Sequence, residues 1–378
     1  MLAKTDTVKV KILELLALSG DMTSGELKSF FDVPSYVEKV ITNLRKEGLI
    51  KRMKVYEKNT FRLTGLGKSF LKEIMPEIYE MLLADRKTLN VVRNDRVHRE
   101  RRRNLVNVLL SLHRADVKIL PGEKNSLKND SAITSADTTD KTDSVINHTP
   151  EFYTAVEIKS IIADYKTSNS SRALGVLISY GVLYIMYSTD DGELNWNKET
   201  EKNFKETTRK VLGRMLFNKP TKTYLVILSD KISTLEKIIR RYKSSGVRKI
   251  HPSADVEEMI FALRDTSKDL TLKLITKPNN NAFVLAEKLR AGIKYYPQYP
   301  FFAGGTGDDE QEFDLHTFMF DLYNVAAALD LCKTRKVRVN VFCFDYQIPY
   351  IKSLIDIQKE NIALYPYDAE KGCETDCE

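Results

Sequence analysis

Glu157-Ile158-Lys159 is the first place where residue types and spacing suggest chemistry. An acid and a lysine two positions apart share one side of a strand. There the carboxylate can hold a divalent ion, and the ammonium can orient a water or stabilise charge on a phosphodiester. The second acid of such a site would be Asp116 or Glu123. Another candidate is Gly304-Gly305-Thr306-Gly307, followed by Asp308, Asp309, Glu310, Glu312, Asp314 and His316. Glycine-rich loops present backbone N–H groups to phosphate. Here, however, no strand is predicted to lead in, no Lys-Ser/Thr closes the loop, and the carboxylates repel nucleotide, so the expectation is an acidic surface loop. Cys373 and Cys377 supply half of a zinc site and read as thiols on a tail. Tyr295, Tyr296 and Tyr299 lack the His-x-His cluster that a nicking tyrosine requires. His98 and His113 stand fifteen positions apart, which is no metal spacing. There is no HExxH, Walker A, serine elbow or GxGxxG. The expectation is therefore no cofactor and no metal, with enzymatic activity uncertain and the balance against it.

The elements that must position Glu157 also argue against catalysis. Thr154-Ala155-Val156-Glu157 has the spacing of a helix capping box, and Ile158, Ile161 and Ile162 follow at helical spacing. This predicts a helix over 154–164 with Glu157 and Lys159 in its first turn. The acid-x-lysine pair resembles half of the PD-(D/E)xK nuclease core, and that resemblance implies a metal-dependent nuclease as the alternative function.

The strongest pattern lies in residues 1–75. Val8, Ile12, Leu15, Leu16 and Leu18 predict a first helix over 6–19, ended by Gly20-Asp21. Thr23 and Glu26 form a capping box that opens a short second helix. Val33-Pro34-Ser35 is a turn, and Ser35 is expected to cap a third helix that turns Val37, Val40, Ile41 and Leu44 inward. Gly48 stops it. Two strand-like runs, 49–56 and 60–63, flank Glu57-Lys58-Asn59, and Leu63-Thr64-Gly65-Leu66-Gly67 opens a further helix. The run VEKVITNLRKEGLIKRMKVYEKNTFRLTGLGKSFL resembles the winged helix-turn-helix family. That resemblance implies a third helix in the major groove and a wing on the backbone. The candidate DNA contacts are Ser35, Tyr36, Lys39, Asn43 and Lys46 on the helix, and Lys51, Arg52, Lys54 and Lys58 on the wing. A protein-binding winged helix is the alternative.

Charge is unevenly spread. The chain of 378 residues has a formal net charge of +7, but residues 1–120 carry 24 Lys+Arg against 15 Asp+Glu, leaving the remainder near neutral. A local basic surplus suits a polyanionic partner. Part of it is Arg96, Arg99, Arg102 and Arg103, on a helix whose apolar stripe runs through Val97, Leu105, Val108, Leu109 and Leu112. These arginines can grip phosphates, or they can form an ion-paired structural face.

The expected organisation is a winged helix-turn-helix over 1–75, connecting and arginine-rich helices over 76–121, a flexible polar linker over 122–150, and an α/β domain with a mixed sheet over 151–378. In that domain strands are predicted at 173–179, 182–188, 223–229, 270–275, 337–344 and 362–366. Helices are predicted at 154–164, 198–217, 231–244, 254–265, 280–291, 316–334 and 349–360. The first two strands read as a hairpin, and the last strand–helix–strand reads as a parallel βαβ unit. The segment SRALGVLISYGVLYIMYSTDDGELNW resembles proteins of Gram-positive conjugative and integrative elements. A winged helix ahead of an α/β unit is similar to plasmid replication-relaxation proteins. In the hairpin approach, Arg172 is either an anion contact or a buried, ion-paired arginine. The first cysteine is Cys332, no apolar run reaches eighteen residues, and the N-terminus lacks a signal-peptide pattern. The expectation is thus a cytoplasmic, sequence-specific double-stranded-DNA-binding protein of a mobile element, homodimeric and free of membrane.

Overall fold

The computed structural model describes residues 7–55, 58–84, 96–124, 149–161, 171–190, 196–217, 221–241, 259–277, 295–296, 299–304, 312–316, 338–354 and 362–367. The chain is mixed α/β and forms two compact units. The first gathers 1–144, 149–166 and 174–178, and the second 145–148, 167–173 and 179–378. Among the described residues no helix is long and apolar enough to cross a membrane.

The first unit opens with α1 (Thr7–Ser19), whose Ile12, Leu13, Leu15, Leu16 and Leu18 are all buried. Gly20, at φ 84°, turns the chain out of the helix through the left-handed region that glycine enters without strain. β1 (Met22–Thr23) leads into α2 (Ser24–Lys28) through the predicted capping box: Glu26 N–H donates to Thr23 Oγ1 at 3.2 Å, and Thr23 N–H donates to Glu26 Oε2 at 2.8 Å. α3 (Pro34–Lys46) buries Val37, Val40, Ile41 and Leu44. Its cap is Val33 rather than Ser35, because Pro34, with its fixed φ and no N–H, takes the first helical position. β2 (Ile50–Val55) and β3 (Lys58–Leu63) pair antiparallel, and the sheet order β1-β3-β2 leaves β2 at an edge. β3 begins earlier than expected, since Lys58 pairs with Val55. α4 (Gly65–Ile74) is capped by Thr64 and crosses so close to Leu49 that a Cβ on Gly67 would strike that residue's carbonyl oxygen.

α5 (Pro76–Tyr79), a π-helical turn (Glu80–Ala84) and α6 (Arg96–His113) follow. Lys118 forms an isolated parallel bridge with the next strand, β4 (Glu151–Thr154): Lys118 N–H donates to Pro150 O, and Phe152 N–H donates to Lys118 O, both at 2.9 Å. β4 pairs antiparallel with β5 (Gly175–Ser179) and runs directly into α7 (Ala155–Ile161). The expected linker over 122–150 is therefore corrected at both ends. Pro121, which opens a 3₁₀ turn (Pro121–Glu123), Lys124 and Pro150 are buried, while Thr149 is exposed; residues 125–148 lie outside the described residues. The expected boundary at 151 also moves, because β4 and α7 belong to the first unit.

Lys124 makes that packing obligatory. Its side chain is 1% exposed, and Nζ donates to Glu157 Oε1 at 2.5 Å and to Phe152 O at 2.8 Å, with the Tyr153 ring centroid 4.6 Å away. Burial lowers the lysine's pKa, while Glu157 acts to raise it. The two preceding residues are tied to α1. Gly122 N–H donates to the buried Glu14 carboxylate at 3.0 Å, and Glu123 pairs with Lys11 at 2.8 Å. Residues 121–124 are thus a strap from α1 to α7.

In the second unit β6 (Val182–Ser188), β7 (Thr223–Ser229) and β8 (Met259–Leu263) form parallel neighbours, with β7 and β8 almost wholly buried. Tyr180 and Gly181, at φ 42° and 81°, make the tight turn into β6 that the hairpin pattern predicts. α8 (Lys198–Phe217) matches its predicted span, and α9 (Ile232–Arg241) falls inside its own. Two predictions exchange types. The span 254–265 contains β8 instead of a helix, and 270–275 is the one-turn α10 (Thr271–Ile275) instead of a strand. Leu263 N–H and Thr271 N–H both donate to Asp269, which starts that turn.

A five-stranded mixed sheet ends the chain, in the order β13-β12-β11-β10-β9. β9 (Tyr295–Tyr296), β10 (Tyr299–Gly304) and β11 (Glu312–His316) are antiparallel. β11, β12 (Arg338–Phe344) and β13 (Ile362–Tyr367) are parallel, with α11 (Ile348–Leu354) between the last two, as the βαβ pattern predicts. A strand does lead into the glycines, and the predicted helix at 316–334 cannot begin at His316, which closes β11. Its remainder, and the helix predicted at 280–291, lie outside the described residues.

Replacing Lys124 by Met leaves Glu157 buried without its counter-charge. We expect a loss of about 3–5 kcal/mol in urea unfolding, with Lys124→Met/Glu157→Gln recovering most of it.

Candidate nucleic-acid interface

α3 is a polar surface laid on an apolar base. Ser35, Lys39, Thr42 and Lys46 fall at i, i+4, i+7 and i+11, opposite the buried Val37, Val40, Ile41 and Leu44. All four are exposed, with Tyr36 and Asn43 exposed beside them. Thr42 was not among the predicted contacts, although the helical period alone puts it in the stripe. No acid stands in that stripe. Two exposed acids stand nearby and pair with neighbouring helices: Glu38, inside α3, with Lys28 of α2 at 2.6 Å, and Glu47, its C-cap, with Lys9 of α1 at 2.5 Å. Such exposed pairs add little stability. Their effect is to offset part of the negative charge that stands exposed beside the stripe.

The edge strand continues the basic surface. Lys51, Arg52 and Lys54 on β2 and Lys58 at the start of β3 are exposed. Their cross-strand partners are Arg62, Phe61, Asn59 and Val55, in that order, so no carboxylate faces them across the ladder. A lysine-rich edge also resists pairing with foreign strands.

The arginine-rich helix has a different surrounding. Arg102 Nε donates to Asp21 Oδ2 at 3.0 Å, and the same oxygen accepts from Arg62 Nη2 of β3 at 3.0 Å. Arg103 Nη1 donates to Glu26, the capping-box acid of α2. Burial lowers the Arg102 pKa, with Asp21 opposing that shift. At the helix end, His113 packs its ring 5.1 Å from Phe30, and burial lowers the imidazole pKa. Arg102 and Arg103 thus tie α6 to residues 21–30, the ion-paired structural role that the sequence offered beside phosphate contact. Arg99 lies half-buried one turn earlier, and Arg96 opens the helix. The missed signal was acid placement: Asp21 and Glu26 are themselves helix-end residues, and folding brings them to arginines about 80 positions away.

Among the described residues, the side chains of the other candidate chemistries are engaged within the fold. Glu157 is fully buried, with one oxygen on Lys124 and the other accepting from Thr154 N–H at 2.6 Å, so both oxygens serve contacts inside the fold. The predicted capping box is what holds it there. In the second unit Glu201 is buried and accepts from Ser171 Oγ and Tyr187 Oη, both at 2.7 Å, and from Arg172 N–H at 2.8 Å. Arg264 is buried against Asp190 and Asp230, with the Asp230 oxygen at 3.4 Å, and burial pushes its pKa down to about 10. Cys343 is buried and its thiol pushed up to about 12, which makes it inert near neutrality. No group of three His, Cys, Asp or Glu side chains suited to a metal occurs among the described residues. Gly305 to Asp309, Cys373 and Cys377 lie outside them. No protein-family model, curated protein or solved structure matches the chain.

Arg102→Gln and Arg103→Gln should each lower stability by on the order of 1–3 kcal/mol, whereas Lys39→Gln and Lys46→Gln should change it little; thermal melting compares the four. Because the folded imidazole of His113 binds its proton less readily than the unfolded one, stability should fall as pH drops through the ordinary value of 6.5. That fall should be shallower in His113→Gln.

Proposed function

We propose that this chain is a sequence-specific double-stranded-DNA-binding protein whose first 75 residues act as a winged helix-turn-helix. The reading rests above all on the acid-free outward stripe of α3, next to a basic edge strand. The element order supports it: three helices, an antiparallel pair of strands and a fourth helix. α3 would lie in the major groove, where Lys39, Asn43 and Thr42 meet base edges. Lys51, Arg52, Lys54 and Lys58 would neutralise phosphates and carry no sequence information.

The first unit contributes the reading head, and we assign the second a role in dimerisation or partner binding. The resemblance of residues 171–196 to proteins of conjugative and integrative elements suggests replication, transfer or transcriptional control of a mobile element. The nuclease alternative loses its motif, because Glu157 is internal to the fold.

Selection from random duplex DNA, followed by binding at two salt concentrations, tests the reading. Lys39→Ala or Asn43→Ala should reduce discrimination between sequences by about 1–3 kcal/mol. Lys51→Gln/Arg52→Gln should weaken all sequences alike and reduce the slope of log K against log salt by about 1.8. Failure to bind any duplex, at low salt as well as high, would overturn the assignment.

A further inference from the structure

Arg62 and Arg102 share one carboxylate, which leaves a positive charge over in the seam where α6 meets β3. Asp21 Oδ2 accepts from Arg62 Nη2 and from Arg102 Nε, both at 3.0 Å, and Arg62 Nε donates to Gly20 O at 3.3 Å. The three side chains are between 9% and 20% exposed, so water and salt screen them only in part. Arg102 meets Asp21 with one prong of its guanidinium fork; its Nη2 is buried and has no hydrogen-bond partner. A buried cationic donor without an acceptor is more costly than a neutral one. Thr60 stands two positions before Arg62 and shares its side of β3. Its Oγ1 is also buried without a partner. Lys51, which is exposed, lies directly across the ladder from Arg62, and opposed like charges on one face of a sheet are unfavourable. Burial lowers the Arg102 pKa; Asp21 opposes that shift, and Arg62 and Arg99 add to it. Among the described residues of the surrounding elements, the other acids are placed elsewhere. β1, β2 and β3 contain none. Glu26 pairs with Arg103. Glu100, the acid of α6, is two positions from Arg102 and does not face it.

We infer that Arg62, Arg102 and Lys51 bind a phosphate group at the seam between β3 and α6. Three cations meet one carboxylate there, so an anion with one or two negative charges completes the balance. Phosphate offers acceptor oxygens to the open guanidinium donor, and the planar fork of arginine matches its geometry. The site stands with or without the DNA-binding reading above. Within that reading it takes a backbone phosphate at the base of the wing, where Lys51 already belongs to the basic edge. Either way the anion holds Arg62 of β3 and Arg102 of α6 together, so binding tightens the docking of α6.

Thermal melting of the full chain tests the site, with sodium phosphate replacing sodium chloride at constant ionic strength. Wild type should show a rise in melting temperature that saturates, as a bound ligand gives. A salt that acts only by exclusion from the surface gives a rise that keeps growing. Arg62→Gln leaves Arg102 and Asp21 as a neutral pair, so α6 keeps its tie while the saturating rise disappears. Asp21→Asn should melt lower than wild type in chloride yet gain more from phosphate, because the competing carboxylate is gone. The inference is overturned if wild type and Arg62→Gln respond alike to phosphate, or if Asp21→Asn gains no more than wild type. The source of the phosphate is read on a duplex selected from random DNA. A slope of log K against log salt that is shallower by about 0.9 in Arg62→Gln assigns the site to the DNA backbone. An unchanged slope beside the saturating rise assigns it to free phosphate or a phosphorylated small molecule. A saturating rise in a protein that binds no duplex sinks the proposed function and leaves the site standing.

Discussion

An ammonium group cannot remain charged and unpaired inside a protein, and Lys124 is 1% exposed. Its partners therefore constrain everything around it. Glu157 must present an oxygen, which requires α7 to start at Ala155, and Thr154 must hold the other oxygen. The Phe152 carbonyl must face the same point, which sets the strand β4. Gly122 and Glu123, next in the chain to the lysine, are tied to Glu14 and Lys11 of α1. A residue that reads as the edge of a polar linker is thus a centre of the first unit. The pair contributes less to net stability than its geometry suggests, because desolvating two ions offsets much of their attraction. What it secures is one arrangement of strap, strand and helix.

The same accounting of charge explains the basic surface. The surplus in residues 1–120 is not uniformly available to a partner. Arg62, Arg102 and Arg103 face Asp21 and Glu26, so two of those three positive charges are offset within the fold. Lys9 and Lys28 cancel Glu47 and Glu38. Among the described residues, Lys39, Lys46, Lys51, Arg52 and Lys54 are exposed cations on the outward side of α3 and on the strand edge. Internal pairing therefore sharpens a diffuse basic third into a defined face, and it is the face rather than the net charge that supports the functional proposal.

Where patterns mislead, the reason is burial. Met259 to Leu263 is an unbroken apolar run, and such a run has no period by which to tell a buried strand from a buried helix. In 270–275 leucines alternate as in a strand, yet Asp269 accepts two backbone N–H groups and winds the segment into a helical turn. β10 and β11 escaped notice because glycines and acids dominate the composition around them, and the parallel partner of β11 is the distant β12 (Arg338–Phe344). By contrast, α8 and β6 match their predicted limits, since their patterns are long and their ends are marked by turn residues.

By itself the sequence determined the local features: the capping boxes at Thr23 and Thr154, the glycine stops at Gly20 and Gly48, the amphipathic period of α3, and the basic bias of the first third. These depend on contacts within a few residues, so spacing is enough to specify them. Only the tertiary structure decided which charges remain for a partner and which acids are buried. Asp21 meets Arg102, and Lys124 meets Glu157, across separations that no spacing rule covers. Those meetings turn a nuclease-like motif into a structural tie and an arginine cluster into a docking seam, because the energy of a buried charge depends on what stands beside it in space.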